Sequence, residues 1–268
     1  MRSSRWWLAA ISALLYLFLY APIAVVMVYS FNAARYGGPW RGFTTKWYAA
    51  LLDSPDKLDA AWNTLILAGV STVLATLLGT LLGYGLHRYR FPGRRTFSLL
   101  MYIPVVIPDI VMAVAMLMFY ALVRDALGIF QLGMTTMILS HVTFQIPFVA
   151  IVVRSRLVGM DPALEEAAHD LGATSWKTFW HVTFPLILPA VVAGAMLAFT
   201  LSLDDFVVSF FTTGPGATTL PILIYSSVKR GITPDINALS SLIVLVSILG
   251  TLAGTLLQRS RKPQGDSR

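Results

Sequence analysis

The chain has 268 residues, of which 56% are hydrophobic and only 12% charged, with no cysteine and a formal net charge of +7. A soluble domain carries about 25% charged residues, so this composition, with a mean hydropathy of +0.71, excludes an ordinary soluble domain and describes a chain whose solvent is lipid. The missing cysteines exclude disulfides and thiolate metal sites, and the basic residues sit at the ends of apolar runs, where they signal topology rather than nucleic-acid binding.

Arg2 and Arg5 precede an apolar run over 6–31. A cleavable signal has only about 7–15 apolar residues, so this run reads as an uncleaved first span. A bilayer-crossing helix needs about 20 apolar residues, and five further runs meet that length: 62–86, 97–123, 134–153, 186–211 and 238–258. The expected fold is therefore all-α and membrane-embedded, a single domain over 1–268 with six transmembrane helices.

Individual spans carry their own signals. In the second, Gly79 and Gly83 are four apart, a spacing that favours close helix contact. The turn that follows, Phe91-Pro92-Gly93, is flanked by Arg88, Arg90, Arg94 and Arg95. The third span holds Pro104, Pro108 and then Asp109, and prolines that free backbone groups are tolerated where a helix lines a cavity. His141 and Gln145 share one face of the fourth span; a lone histidine without a second ligand at metal-binding spacing reads as an interhelical hydrogen-bond partner. The fifth span contains Asp204 and Asp205, which point about 100° apart on a helix and so cannot face one partner. In the last outer loop, 212–237, the apolar stretch Leu220–Val228 predicts a short helix.

Thirteen of the twenty Lys and Arg residues fall in the N-terminus, 87–96, 154–185 and the C-terminal tail. The positive-inside rule puts those segments, and both termini, in the cytoplasm.

An Asp inside a span costs roughly 2.5–3.5 kcal/mol on insertion scales. Asp109, Asp204 and Asp205 each have two readings. They attract a cationic substrate, with Phe206, Phe210 and Phe211 offering faces for ammonium groups, or they cap broken helices and meet outer water. Asp205 is the stronger functional candidate on sequence grounds.

The segment 154–185 predicts a helix, a break and a second helix. Asp161 is an N-cap, Pro162 suits the first helical position, and Glu165 and Glu166 sit where the helix dipole favours acids. Leu164, Ala167, Ala168 and Leu171 form one apolar face, Gly172 ends the helix, and Thr174 or Ser175 caps the next. Either a docking helix or a plain linker satisfies this pattern.

Glu166-Ala167-Ala168, three residues, Gly172, nine residues and Val182-Thr183-Phe184-Pro185 resemble the Glu-Ala-Ala signature of ABC-importer permeases, with Val182 in place of Ile and Phe184 in place of Leu. Ser30-Phe31-Asn32, Gly42–Tyr48, Pro108–Val111, Ser140–Phe144, Phe199–Asp205 and Pro234–Leu239 extend the resemblance to the spermidine/putrescine permeases of the PotC type. The resemblance implies the type I importer architecture and a coupling loop made of Glu165, Glu166, Ala167, Ala168 and Gly172 that docks on an ATPase. It implies a bacterial inner-membrane subunit working with a second permease, two ATPase subunits that bind the ATP and Mg, and a periplasmic polyamine-binding protein. No phosphate-binding Gly-Lys-Ser/Thr loop, zinc motif or catalytic set is visible, so the chain reads as a transport subunit that holds no cofactor, not an enzyme. Importers of another small substrate, and an ion-driven secondary transporter, are the rival readings; the latter normally shows an inverted repeat.

Overall fold

In the computed structural model, residues 4–34, 39–230, 233–245 and 248 are described. Among them the chain is helical, with a single β-bridge between Asn32 and Phe43. The helices are α1 (Ser4–Tyr29), α2 (Lys46–Leu52), α3 (Pro55–Arg88), α4 (Arg94–Leu100), α5 (Ile103–Val106), α6 (Asp109–Leu127), α7 (Met134–Val158), α8 (Ala163–Asp170), α9 (Ser175–Thr178), a π-helical segment Phe179–Thr183, α10 (Phe184–Leu203), α11 (Val207–Thr212) and α12 (Leu220–Arg230). A short apolar helix, α13, follows over Pro234–Leu245. Among the described residues, five helical stretches are long and apolar enough to cross a membrane: Trp6–Tyr29, Pro55–Arg88, Asp109–Leu127, Met134–Val158 and Ser175–Leu203. The expected sixth span, 238–258, begins within α13, and its remainder lies largely outside the described residues.

Two expected spans are broken rather than continuous. Over 97–123 the chain forms parts of α4 and α6 with α5 between them. Ile107 and Pro108 are extended, with ψ of 136° at both, because proline removes a backbone donor and disfavours helix at the residue before it. Over 186–211, α10 ends at Leu203, and α11 restarts at Val207.

The contacts divide the chain into two compact units, residues 59–223 and the described parts of 1–58 with 224–268. In the first, α7 is the most buried span and lies between α3 and α10. A Cβ on Gly79 would sit 2.7 Å from Val149 Cβ, and one on Gly83 2.8 Å from the Ala150 carbonyl oxygen. The expected close contact at these two glycines therefore forms, against α7. On α10, Gly194 approaches the same Val149: a Cβ added there would sit 3.2 Å from Cγ1. Val149, Val153, Leu157, Ile187 and Ala198 fill the core between α7 and α10, with Tyr84, Phe184 and Val191 around them. Gly214 passes so close to the Leu132 carbonyl that no larger residue fits there.

In the other unit, the loop after α1 folds on itself. Asn32 Oδ1 accepts the N–H groups of Ala34 (3.2 Å) and Arg41 (3.0 Å), while Trp47 Nε1 donates to the Asn32 carbonyl at 2.8 Å. Ser30 and Tyr48 share a hydrogen bond of 2.7 Å, and Phe31 stacks on Phe43 at 5.1 Å. Lys57 pairs with Asp235 at 2.7 Å.

Candidate functional site

Two constellations stand out, one at the loop carrying α8 and one at the break between α10 and α11.

The α8 loop is built by local capping. Asp161 Oδ1 accepts the Ala163 N–H at 3.0 Å and Pro162 already has helical dihedrals (φ −60°, ψ −27°), so the expected cap and first helical position both form. At the other end Gly172 adopts φ +81°. Its N–H bonds the His169 carbonyl (2.9 Å) and that of Ala173 reaches back to Ala168 (3.0 Å), a Schellman closure of the helix. Thr174 Oγ1 then accepts from the Lys177 N–H and starts α9.

This short helix turns apolar and acidic groups outward. Leu164 and Leu171 are 46% and 89% exposed, and Glu166 and Ala167 are exposed as well. Ala168, expected on the same outward face, is half-buried instead, because the helix rests on α9 and the π-helical segment.

Glu165 departs furthest from its neighbours. Its side chain is only 13% exposed, and its carboxylate is held from both sides: Arg88 Nη1 lies 2.8 Å from Oε2, and Thr183 Oγ1 donates to Oε1 at 2.6 Å. A polar recess of about 270 Å³ beside it is lined by Tyr84, Arg88, Tyr89, Glu165, His169 and Thr183, among others.

At the α10–α11 break the two adjacent aspartates separate. Asp204 ends α10 and is exposed. Asp205 is 11% exposed and turns inward. Its oxygens accept the N–H groups of Ser209 (2.8 Å) and Val208 (3.3 Å), capping α11, and Oδ2 lies 3.3 Å from His141 Nε2. His141 is 2% exposed and joins three helices. Nδ1 is 2.7 Å from Ser202 Oγ, Nε2 is 3.0 Å from Ser209 Oγ, and Ser202 continues to Ser71 at 3.2 Å and on to Gln145 Nε2 at 3.4 Å. The histidine is thus an interhelical hydrogen-bond partner, as its sequence context suggested. Asp205 makes the helix-capping contacts of its second sequence reading.

Sequence reasoning found no Ser-His-Asp set, yet Ser202, His141 and Asp205 meet here. Ser202 and Ser209 are 2% and 0% exposed, so these groups hold helices together and present no nucleophile. Among the described residues no three His, Asp or Glu side chains gather as a metal site. Asp109 opens α6 just after the Pro108 break and is exposed. Phe206 lies half-buried at the restart, 5.2 Å from Phe210.

Comparison with known proteins adds identity to this geometry. Residues 75–263 match the family model described as "Binding-protein-dependent transport system inner membrane component". Over 92% of its length, and 92% of the relative's, the chain is 44% identical to the spermidine/putrescine transport system permease protein PotC of Escherichia coli K12. It is 42% identical, over 96% of its length and 92% of the relative's, to the putrescine transport system permease protein PotI of the same organism. Among solved structures, a bacterial ABC transporter involved in the import of the acidic polysaccharide alginate aligns over 97% of this chain and 98% of its own, with TM-score 0.77 and 22% identity.

Proposed function

The chain belongs to the binding-protein-dependent transport system inner membrane components, and on that footing we propose that it is the polyamine-importing kind, carrying spermidine or putrescine through half of a shared translocation pathway. As a multi-pass permease subunit it is a transport protein and not an enzyme. The observation that carries the substrate is the 44% identity over 92% of the chain to a spermidine/putrescine permease.

The site fits that reading in three ways. Asp109 and Asp204 are exposed carboxylates at helix breaks, and no Lys or Arg lies within α10 or α11 to neutralise Asp204. Phe206, two residues further on, brings an aromatic ring to the same break, of the kind that attracts ammonium groups. Asp205 holds the break in shape, so that its neighbour is the one presented.

Energy enters from outside the chain. The basic segments, both termini and the α8 loop face the cytoplasm. There Leu164, Glu166, Ala167 and Leu171 dock on an ATPase subunit, with Ala168 and Gly172 setting the shape of the helix. The working assembly contains this chain, a second permease, two ATPases that hold ATP and Mg, and a periplasmic polyamine-binding protein. One membrane domain, residues 1–268, serves this role.

The test is uptake of labelled putrescine and spermidine in cells that lack the native permease and express this chain with its partners. Uptake that competes with unlabelled polyamines and ceases when the ATPase is inactivated is the expected result. Competition by amino acids or sugars, with polyamines inert, would overturn the substrate assignment. Uptake that survives loss of the ATPase would overturn the coupling.

A further inference from the structure

Helix α8 has no continuous helical connection to the spans it must move. It is entered through the turn at Gly159–Pro162 and left through the left-handed Gly172, so a push on it is not carried along any helix axis. A compliant connection of this kind needs a lateral link if displacement is to reach the membrane. Glu165 is placed to be that link. It faces away from the exposed Leu164, Ala167 and Leu171 surface in accessibility, and its two oxygens engage two different elements. Oε2 holds Arg88 at the end of α3, and Oε1 takes the hydroxyl of Thr183, the last residue of the π-helical segment before α10. Thr183 is itself 1% exposed.

The two ends it holds are also joined to each other. Tyr84 of α3 packs edge-on against Phe179 of the π segment at 5.1 Å, and beyond them Tyr84 and Phe184 lean on the α7–α10 core. A π segment carries an extra residue in its turn and recurs at functional positions in helices. Here the carboxylate grips the last residue of that turn.

We infer that Glu165 is a positioning residue that converts displacement of α8 into joint displacement of α3 and α10, through Arg88 and Thr183, and that it is separate from the surface that docks the ATPase. This deepens the coupling role proposed above and rests on it. Its signature is uncoupling: without Glu165 the ATPase still binds and turns over, but its strokes are lost before they reach the bundle.

The experiment uses the full importer, this chain with its second permease, ATPases and binding protein, reconstituted in vesicles with labelled putrescine. ATP hydrolysis and uptake are read in the same vesicles. For Glu165→Ala, ATPase copurification and hydrolysis within twofold of wild type, with uptake per ATP down at least fivefold, is expected. Glu165→Gln keeps the acceptor for Thr183 and loses only the charge, so its ratio falls about twofold to threefold. The exchanged pair Glu165→Arg with Arg88→Glu recovers at least half of what Glu165→Arg alone loses.

An unchanged ratio in Glu165→Ala would overturn the inference, as would hydrolysis and uptake falling in equal proportion. Loss of copurification with the near-isosteric Glu165→Gln would assign Glu165 to the docking surface and overturn it too. A wild-type chain that captures no ATPase would remove the coupling role itself, and this inference with it.

Discussion

The α8 loop and the α10–α11 break each place two neighbouring acids at a short helix, one held and one exposed, in opposite chain order. In α8, Glu166 is exposed while Glu165 is held by two partners. At the break, Asp204 is exposed while Asp205 is held by His141 and the α11 amides. The surroundings differ. The α8 loop is mostly exposed and closed by local caps. The break draws on a buried network that runs through Ser202, His141, Ser71 and Gln145. An acid tied into a buried network serves the architecture, and its exposed neighbour is left for a partner. Substitutions in the buried region should therefore read out as stability, and those on the exposed face as association or transport.

The largest effect expected is at the closest helix contact. Gly79→Leu drives a side chain into Val149 and the Ile146 carbonyl, and overpacking of this kind costs up to about 3 kcal/mol. Thermal unfolding of the detergent-purified chain should show it. Gly172→Ala, in the loop, costs only about 1 kcal/mol, because it forces an L-residue to φ +81° with open space around it. Equal losses at the two sites would break the contrast between the regions. Next comes His141→Ala, which removes one group that serves Ser202, Ser209 and Asp205 at once. Leaving buried polar groups unpartnered costs about 1–3 kcal/mol, a fall of several degrees in unfolding temperature. Unfolding at the wild-type temperature would show that the network does not hold the break.

The same division explains what could be read from sequence. The α8 loop was legible nearly residue by residue, because caps act locally: Asp161, Thr174 and Gly172 each bond groups within five positions of themselves. Gly79 and Gly83 were legible as well, since their spacing alone sets a face, although it did not say which helix would meet them. The fate of Asp205 was not legible. Its partner His141 is more than sixty residues away, and only tertiary packing brings them together. Glu165 looked like a dipole-favoured acid equivalent to Glu166. The partners that distinguish it, Arg88 and Thr183, lie 77 and 18 residues away. The π turn at Phe179–Thr183 was not read from the sequence. In 97–123 the prolines announced a bent span, but the long apolar run concealed that the helix would be divided at Ile107–Pro108.

A smaller effect tests the exposed side of the contrast. Ala167→Trp adds bulk to a residue that has no packing role of its own. ATPase association should weaken about tenfold, which corresponds to about 1.4 kcal/mol, with the unfolding temperature of the permease unchanged. Pull-down across a range of ATPase concentrations measures the first quantity, and detergent melting the second. A drop in melting temperature would place Ala167 among the structural residues and erase the distinction drawn for α8.

The smallest effect comes from the adjacent pair at the break, and it separates the two roles most sharply. Asp204→Asn removes a charge from an exposed position without disturbing the cap on α11, so the fold should be indifferent. If a di- or tricationic substrate passes there, one partly solvated charge contributes less than about 1 kcal/mol, which appears as a rise of about threefold to fivefold in the apparent KM for putrescine uptake. Asp205→Asn should do the reverse. Asparagine keeps one acceptor for the α11 amides but loses the charge facing His141, so unfolding comes earlier by about 1 kcal/mol, while the KM of the surviving protein stays near wild type. An Asp205→Asn variant with intact stability and a raised KM would return that carboxylate to the pathway and leave Asp204 as ordinary surface.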